Sequence, residues 1–222
     1  MRQTPPGRAN ARASFTTRLG IAACTVTLGL LAADVQARPT GTLPSSSPGV
    51  GITDHAARPT MAWVHFCERM PAECAVNASE PAMIKLTPEA WRTIVRINRQ
   101  VNRAITAKTD AEHWGVEDRW DFAEDGYGDC EDYQLVKRKK LAEAGFPRRA
   151  LRMTVVIDEL GLGHAVMMVR TDRGDFILDN KHDAVLPWSQ TGYTYIKREG
   201  DEGTAWASLG GAVASPVATA GR

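Results

Sequence analysis

The chain has 222 residues, enough for one domain of ordinary size with short extensions. Hydrophobic residues make up 43% of the chain and charged residues 24%, proportions that are typical of globular proteins and exclude a disordered or fibrous chain. The formal net charge of +1 excludes the strongly basic surface that broad nucleic-acid binding requires, so no nucleic-acid partner is predicted.

The first 37 residues have the order of a secretory signal peptide. Arginines precede an apolar run over residues 19–33, no acidic residue occurs before Asp34, and residues 35–37 (Val-Gln-Ala) form a small-residue cleavage site. The run is shorter than the roughly 20 residues of a membrane-spanning helix. We therefore predict cleavage after residue 37, a periplasmic or secreted location, and no stable membrane insertion. Lipidation at Cys24 and an uncleaved anchor are the alternatives.

Residues 38–60 are rich in Pro, Ser, Gly and Thr and predict a flexible linker to a folded domain over 61–199.

The cysteines that follow the signal divide into a pair and a single thiol. Cys67 and Cys74 lie close together, which in an oxidising compartment favours a disulfide. A metal site is the alternative, although no second pair of ligands has suitable spacing. Cys130 is then either a reactive thiol or an incidental one.

Two long helices are predicted. Thr87 and Pro88 are typical of an N-cap and a first helical position, and apolar residues at spacings of three and four extend this helix to about Lys108. The next segment holds aromatic and acidic residues without periodicity and predicts an ordered loop. A second helix begins at or near Cys130 and ends before Gly145.

The pattern changes to period two after the second helix, as in half-buried strands. A final segment, residues 200–222, is rich in Gly and Ala and predicts a disordered tail. Helices followed by an antiparallel meander predict an α+β fold. The predicted strands are residues 151–157, 164–170, 175–180 and 193–197.

Cys130 is a candidate nucleophile because of its position at a helix start. Unpaired backbone N–H groups and the positive end of the helix dipole favour the thiolate, which is the reactive form. Asp129, Glu131 and Asp132 act in the opposite sense, since their charges raise the pKa of the thiol unless a cation or backbone donors offset them. An ordinary buried cysteine at a helix start is the alternative.

The predicted hairpin supplies a base and an acid on one face of the sheet. If Arg170 pairs with Asp175 across the turn, His164 and Asp179 become diagonal neighbours on the same face. Diagonal side chains are roughly 7–8 Å apart at their backbones, which is within side-chain reach. Asp179 could then orient the imidazole of His164, and the imidazole could take a proton from Cys130.

These motifs resemble the bacterial transglutaminase-like cysteine peptidases. The resemblance covers about residues 61–199 and implies a papain-like α+β fold, with a nucleophile at a helix N-terminus packed on an antiparallel sheet. It also implies that Cys130, His164 and Asp179 form the catalytic triad. The matching segments are 128–133 (Gly-Asp-Cys-Glu-Asp-Tyr), 163–166 (Gly-His-Ala-Val) and 177–180 (Ile-Leu-Asp-Asn), with Phe66-Cys67, Pro71, Cys74, Trp114-Gly115, Asp118 and Trp120 upstream.

The family includes periplasmic proteases that cut large surface adhesins. Some of them bind calcium through acids that flank the nucleophile, which match Asp129 and Glu131 here. The resemblance therefore implies a Ca²⁺ cofactor at these two residues and a protein substrate, such as a large surface adhesin. A hard cation with oxygen ligands would also offset the acidic charges around the thiol.

The sequence as a whole predicts a periplasmic cysteine endopeptidase. Two alternatives stay open. The same triad could transfer the acyl group to an amine, as transglutaminases do, or the domain could be a non-catalytic module that binds a surface protein.

Overall fold

The computed structural model describes residues 42–53, 55–201 and 205–214. The predicted signal peptide lies outside these residues. Within them, no helix has the length and apolar character needed to cross a membrane. In chain order the elements are β1 (Ala56–Ala57), α1 (Met61–Arg69), α2 (Pro71–Cys74), α3 (Pro88–Ala104), β2 (Thr106–Ala107), α4 (Asp110–His113), β3 (Tyr127–Gly128), α5 (Cys130–Glu143), a 3₁₀ turn (Arg148–Ala150), β4 (Leu151–Ile157), β5 (Gly163–Thr171), β6 (Gly174–Leu178), β7 (Leu186–Pro187), a 3₁₀ turn (Trp188–Gln190), β8 (Thr194–Glu199) and β9 (Trp206–Val213).

A seven-stranded antiparallel sheet forms one layer of the domain, in the order β1-β9-β8-β4-β5-β6-β7. The strands β4, β5 and β6 form the predicted meander, and β8 lies on the other side of β4. A separate parallel pair, β2 and β3, joins the end of α3 to the residues just before α5. Helices followed by an antiparallel sheet confirm the predicted α+β fold.

The sheet continues beyond the predicted domain at both ends, so two predictions were wrong. The predicted tail contains β9, which pairs with β8, and the predicted linker contains β1, which pairs with β9. Trp206 of β9 is buried and packs edge-on against Trp63 of α1, with ring centroids 6.0 Å apart. Burial of this aromatic surface orders a segment whose composition indicated disorder. Earlier in the linker, the Val50 N–H donates to the carboxylate of Asp175 on β6.

The two long helices begin as their sequences predict. The Thr87 hydroxyl accepts from the Ala90 N–H and caps α3. This helix ends at Ala104 and not at Lys108, because the next residues leave it to pair with β3. After α5, Gly145 has a φ of 88°, the left-handed conformation that ends helices and favours glycine.

Both faces of the sheet are buried. Met167 and Val169 of β5 pack with the helices, while Val166 and Met168 alternate with them and belong to a second apolar cluster on the opposite face. Helix α5 packs against β4, β5 and α3. Its position is also fixed by a buried ion pair, since Arg138 donates to both carboxylate oxygens of Glu199 at 2.9 Å.

Cys67 and Cys74 form a disulfide, which confirms the sequence prediction. Their Cα atoms are 5.6 Å apart, and the bond joins α1 to the end of α2. Cys130 is therefore the free cysteine among the described residues.

Replacing both Cys67 and Cys74 by Ser should lower the free energy of unfolding by about 2 kcal/mol, because closing even a short loop restricts the unfolded chain. Urea unfolding of the two proteins measures the loss. Adding a reductant to the wild-type protein should give the same loss and should leave the double variant unchanged. Equal stability of the variant and the oxidised wild type would contradict the prediction.

Candidate active site

The sulfur of Cys130 lies beside β5, just beyond the end of β6. Cys130 is the first residue of α5, and its Sγ accepts a hydrogen bond from the Ala165 N–H at 3.4 Å. The paired register of β5 and β6 ends at Met167 and Leu178, so β6 has no residue that could accept from this N–H. The thiol therefore occupies the place at which a longer β6 would continue.

His164 and Asp179 meet as the predicted register requires. Arg170 pairs with Asp175, and the Nε2 atom of His164 lies 2.9 Å from Oδ1 of Asp179. Both side chains are buried. Because Nε2 is engaged by the carboxylate, Nδ1 is the ring nitrogen left for proton exchange, and His164 adjoins Ala165, whose N–H contacts the sulfur. Within the described residues, no hydrogen bond joins this imidazole to the Cys130 sulfur.

Two further donors hold the Asp179 carboxylate. The Tyr193 hydroxyl donates to Oδ2 at 2.6 Å, and the Lys181 backbone N–H donates to Oδ1 at 2.9 Å. The Tyr193 ring also packs edge-on against the imidazole of His164. Burial alone would raise the pKa of Asp179, but the His164 hydrogen bond and charge, followed by the Tyr193 and Lys181 bonds, lower this pKa to about 2. The carboxylate is therefore ionised and oriented.

The environment of Cys130 stabilises the thiol and not the thiolate. Burial raises its pKa well above the usual value, and the charge and hydrogen bond of Glu131 raise it further, while the Ala165 N–H opposes them. The thiol donates to Oε2 of Glu131 at 3.1 Å. The structure thus shows the charge conflict expected from the acids around this cysteine.

Three carboxylates converge next to the thiol. One oxygen from each of Asp110, Asp129 and Glu131 lies within 4.8 Å of the other two. The Oδ1 atoms of Asp110 and Asp129 are buried without a hydrogen-bond partner among the described residues. Burial, followed by the charge of Asp129, raises the pKa of Glu131 to about 10. Converging oxygen atoms without donors fit a hard cation such as Ca²⁺.

Two other acids near α5 have partners of their own. Asp132 accepts from the backbone N–H groups of Asp121 and Asp129, so it fixes the loop before α5. Asp125 accepts from the Tyr127 N–H and contacts His113 at 2.7 Å. Their carboxylates therefore have structural partners.

Sequence reasoning missed two of the contacting residues. Asp110 reaches the acidic group from α4, and Tyr193, the residue before β8, reaches Asp179. For Asp110, the only local signal in the sequence was a capping box formed by Thr109 and Glu112, which marks the start of a helix at this residue. Nothing in the local pattern around Tyr193 indicates its partner.

Comparison with known proteins identifies the family. Residues 52–213 match the family model described as bacterial transglutaminase-like cysteine proteinase, BTLCP. The chain belongs to this family. It is a cysteine peptidase. Within the described residues, Cys130 is the one cysteine that forms no disulfide. No curated protein matches the chain.

Solved structures of LapG from Legionella pneumophila are similar to this peptidase. The calcium-bound form has a TM-score of 0.48 and 21% identity over 72% of this chain and 84% of that chain. A second LapG structure has a TM-score of 0.47 and 22% identity, covering 66% and 78%. The EGTA-treated form has a TM-score of 0.47 and 21% identity, covering 72% and 83%.

Replacing Asp179 by Asn should remove about 2 kcal/mol of stability at pH 7. A carboxyl group whose pKa is lowered to about 2 in the folded state stabilises the protein above its unfolded pKa, and this contribution is lost as the pH falls toward 2. Urea unfolding from pH 7 to pH 2 should therefore show the wild-type and variant curves converging at low pH. A constant gap over this range would show that the charge of Asp179 is not what stabilises the fold.

Proposed function

We propose that the peptidase is an endopeptidase in which Cys130 is the nucleophile, His164 the general base and acid, and Asp179 the residue that orients the imidazole. The observation that carries this proposal is the buried His164–Asp179 pair, whose strand places the Ala165 N–H on the Cys130 sulfur. The same hydrogen-bonded strand end thus brings a base and a thiol together.

The proposed reaction is acyl transfer through a thioester. His164 takes the proton of the Cys130 thiol as the sulfur attacks a peptide carbonyl, and it then gives that proton to the leaving amine. Water, deprotonated by the same imidazole, releases the acyl group and restores the thiol. Cys130 is the first residue of α5, so its N–H has no acceptor within the helix and is suited to stabilise the oxyanion. Asp179 favours the imidazolium that forms at each transfer.

Replacing Cys130 by Ala should abolish peptide hydrolysis. His164→Ala should lower kcat/KM about 10³-fold or more, and Asp179→Asn by about 10²- to 10⁴-fold, because the imidazole loses its orientation. His65→Ala is the matched control, since the His65 side chain is exposed on α1, far along the chain from the three residues. Labelling with iodoacetamide gives a second readout, in which His164→Ala should slow modification of Cys130.

Two results would contradict the proposed endopeptidase activity. A Cys130 that reacts no faster than a thiol in the denatured chain, with no effect of His164→Ala, would favour a binding module. Incorporation of a labelled amine into a glutamine-containing protein, in preference to hydrolysis, would favour the transglutaminase reaction.

We also propose a calcium ion held by Asp110, Asp129 and Glu131. The convergence of three carboxylates and the two buried oxygens without donors support this site. A cation there would neutralise acidic charge beside the thiol and thereby oppose the rise in its pKa. Glu131, as a ligand, would also be drawn away from its hydrogen bond with the Cys130 thiol, which would leave that proton to His164.

EGTA should lower both the activity and the melting temperature, and Ca²⁺ should restore them while Mg²⁺ does so poorly. At a calcium concentration 100-fold above Kd, binding adds about 2.7 kcal/mol, or roughly 5–10 °C in a domain of this size. Asp129→Asn should abolish this response. Asp125→Asn should retain it, because Asp125 contacts His113 and not the acidic group. An unchanged melting temperature in EGTA would exclude the site.

For the substrate and the location, we propose a large surface adhesin cut in the periplasm. The family resemblance and the signal-like order of the first 37 residues support this proposal. Comparing surface proteins of cells with and without the Cys130→Ala substitution is the direct test. A full-length adhesin that accumulates on the surface of the variant cells is the expected result.

A further inference from the structure

The turn between β4 and β5 exposes two leucines beside the proposed active site. Leu160 is 74% exposed and Leu162 is 60% exposed, and they flank Gly161. The last pair of the two strands is Ile157 with Gly163, directly before His164. Leu162 is three residues from Ala165, whose N–H contacts the sulfur, which corresponds to about 10 Å along a strand.

This turn is held in one shape by Asp158. Its Oδ1 accepts from the N–H groups of both Leu160 and Leu162, at 2.9 and 2.8 Å. The Asp158 N–H also donates to the Leu162 carbonyl at 2.9 Å. Because the backbone is fixed, the two leucines are presented to solvent in a defined arrangement and need little ordering when a ligand binds.

A salt bridge ties the turn to the triad. The Lys181 ammonium contacts Oδ2 of Asp158 at 2.5 Å, while the Lys181 backbone N–H donates to Asp179. His164 contacts the same oxygen of Asp179. The turn and the imidazole are therefore positioned by one set of hydrogen bonds, as expected if a single substrate chain contacts both.

We propose that Leu160 and Leu162 bind aliphatic side chains of the substrate on the C-terminal side of the scissile bond. This inference rests on the proposed function, in which His164 protonates the amine that leaves. The departing chain therefore begins at the imidazole, and Leu162 lies two residues from it. Contact with an aliphatic side chain removes exposed apolar surface from water on both partners, whereas a polar side chain gains nothing there.

Capture of the acyl-enzyme by added amines tests the proposal without knowledge of the natural substrate. The p-nitrophenyl ester of N-acetylalanine acylates Cys130 as its ester bond breaks and p-nitrophenol leaves with the thiol proton, and a dipeptide amide then attacks the thioester. The new amide bond forms as the sulfur leaves, and the amine proton passes through His164 to the sulfur. This step reverses departure of the leaving chain, so the amine must occupy the same surface.

Leucyl-leucinamide should capture the acyl group about tenfold better than seryl-serinamide. Replacing both Leu160 and Leu162 by Asn should abolish this preference, measured as the ratio of captured to hydrolysed acyl-enzyme, and leave the capture of seryl-serinamide relative to water unchanged. Met83→Asn is the matched control, because Met83 is 52% exposed but adjoins Ile84, which bridges to Thr171 at the opposite end of β5. This variant should retain the preference.

The outcomes separate the two proposals. No preference in the wild-type protein, or a preference that survives in the double variant, overturns the role of the leucines while ester turnover still supports the triad. A fall in the capture of both amides by the same factor in the double variant would show a structural role and also overturn it. Failure of the wild-type protein to consume the ester would overturn the proposed function together with this inference.

Discussion

Arg170 lies opposite Asp175 across the β5–β6 hairpin, and the contacts among the three candidate residues depend on this register. It sets His164 and Asp179 on one face of the sheet, where their side chains form a buried pair. A slip of one residue would turn one of these two side chains to the other face and separate them. The early end of β6 is equally necessary, because it leaves the Ala165 N–H for the sulfur of Cys130.

The electrostatics of the site divide into two parts with opposite character. Around Asp179, each buried carboxylate oxygen receives a donor, and the pKa falls to about 2. Around Glu131, acids converge and two of their buried oxygens have no donor among the described residues, and the pKa of Glu131 rises to about 10. Burial is common to both, so the neighbouring group decides the direction of the shift: the hydrogen bond and charge of His164 lower the pKa of Asp179, and the charge of Asp129 raises that of Glu131. The Asp179 carboxylate is fully satisfied by groups of the protein itself, whereas the acids around Glu131 can still accept a cation.

Local signals in the sequence were sufficient for the central part of the fold. Period-two strands and a tight turn predicted the hairpin register, and hence the meeting of His164 and Asp179. The approach of Asp110 and Tyr193 could not be predicted, because both arrive through packing between distant segments. Strand β9 was missed for a different reason: Gly210 and Gly211 interrupt its alternation, and within the strand only Trp206 and Leu209 are buried. Its order depends on pairing with β8, a contact that composition does not reveal.

The contact between Trp206 and Trp63 joins the last described strand to the first helix, and β1 pairs with β9 at the same edge. Such pairings have high contact order, so loop closure over almost the whole domain must precede them. The helices and the β4–β6 meander precede β9 in the chain, so Trp63 lacks Trp206 as its partner until residues 206–213 are available for pairing. Until then this aromatic surface is exposed, and chains that are only partly folded must be kept from associating through it.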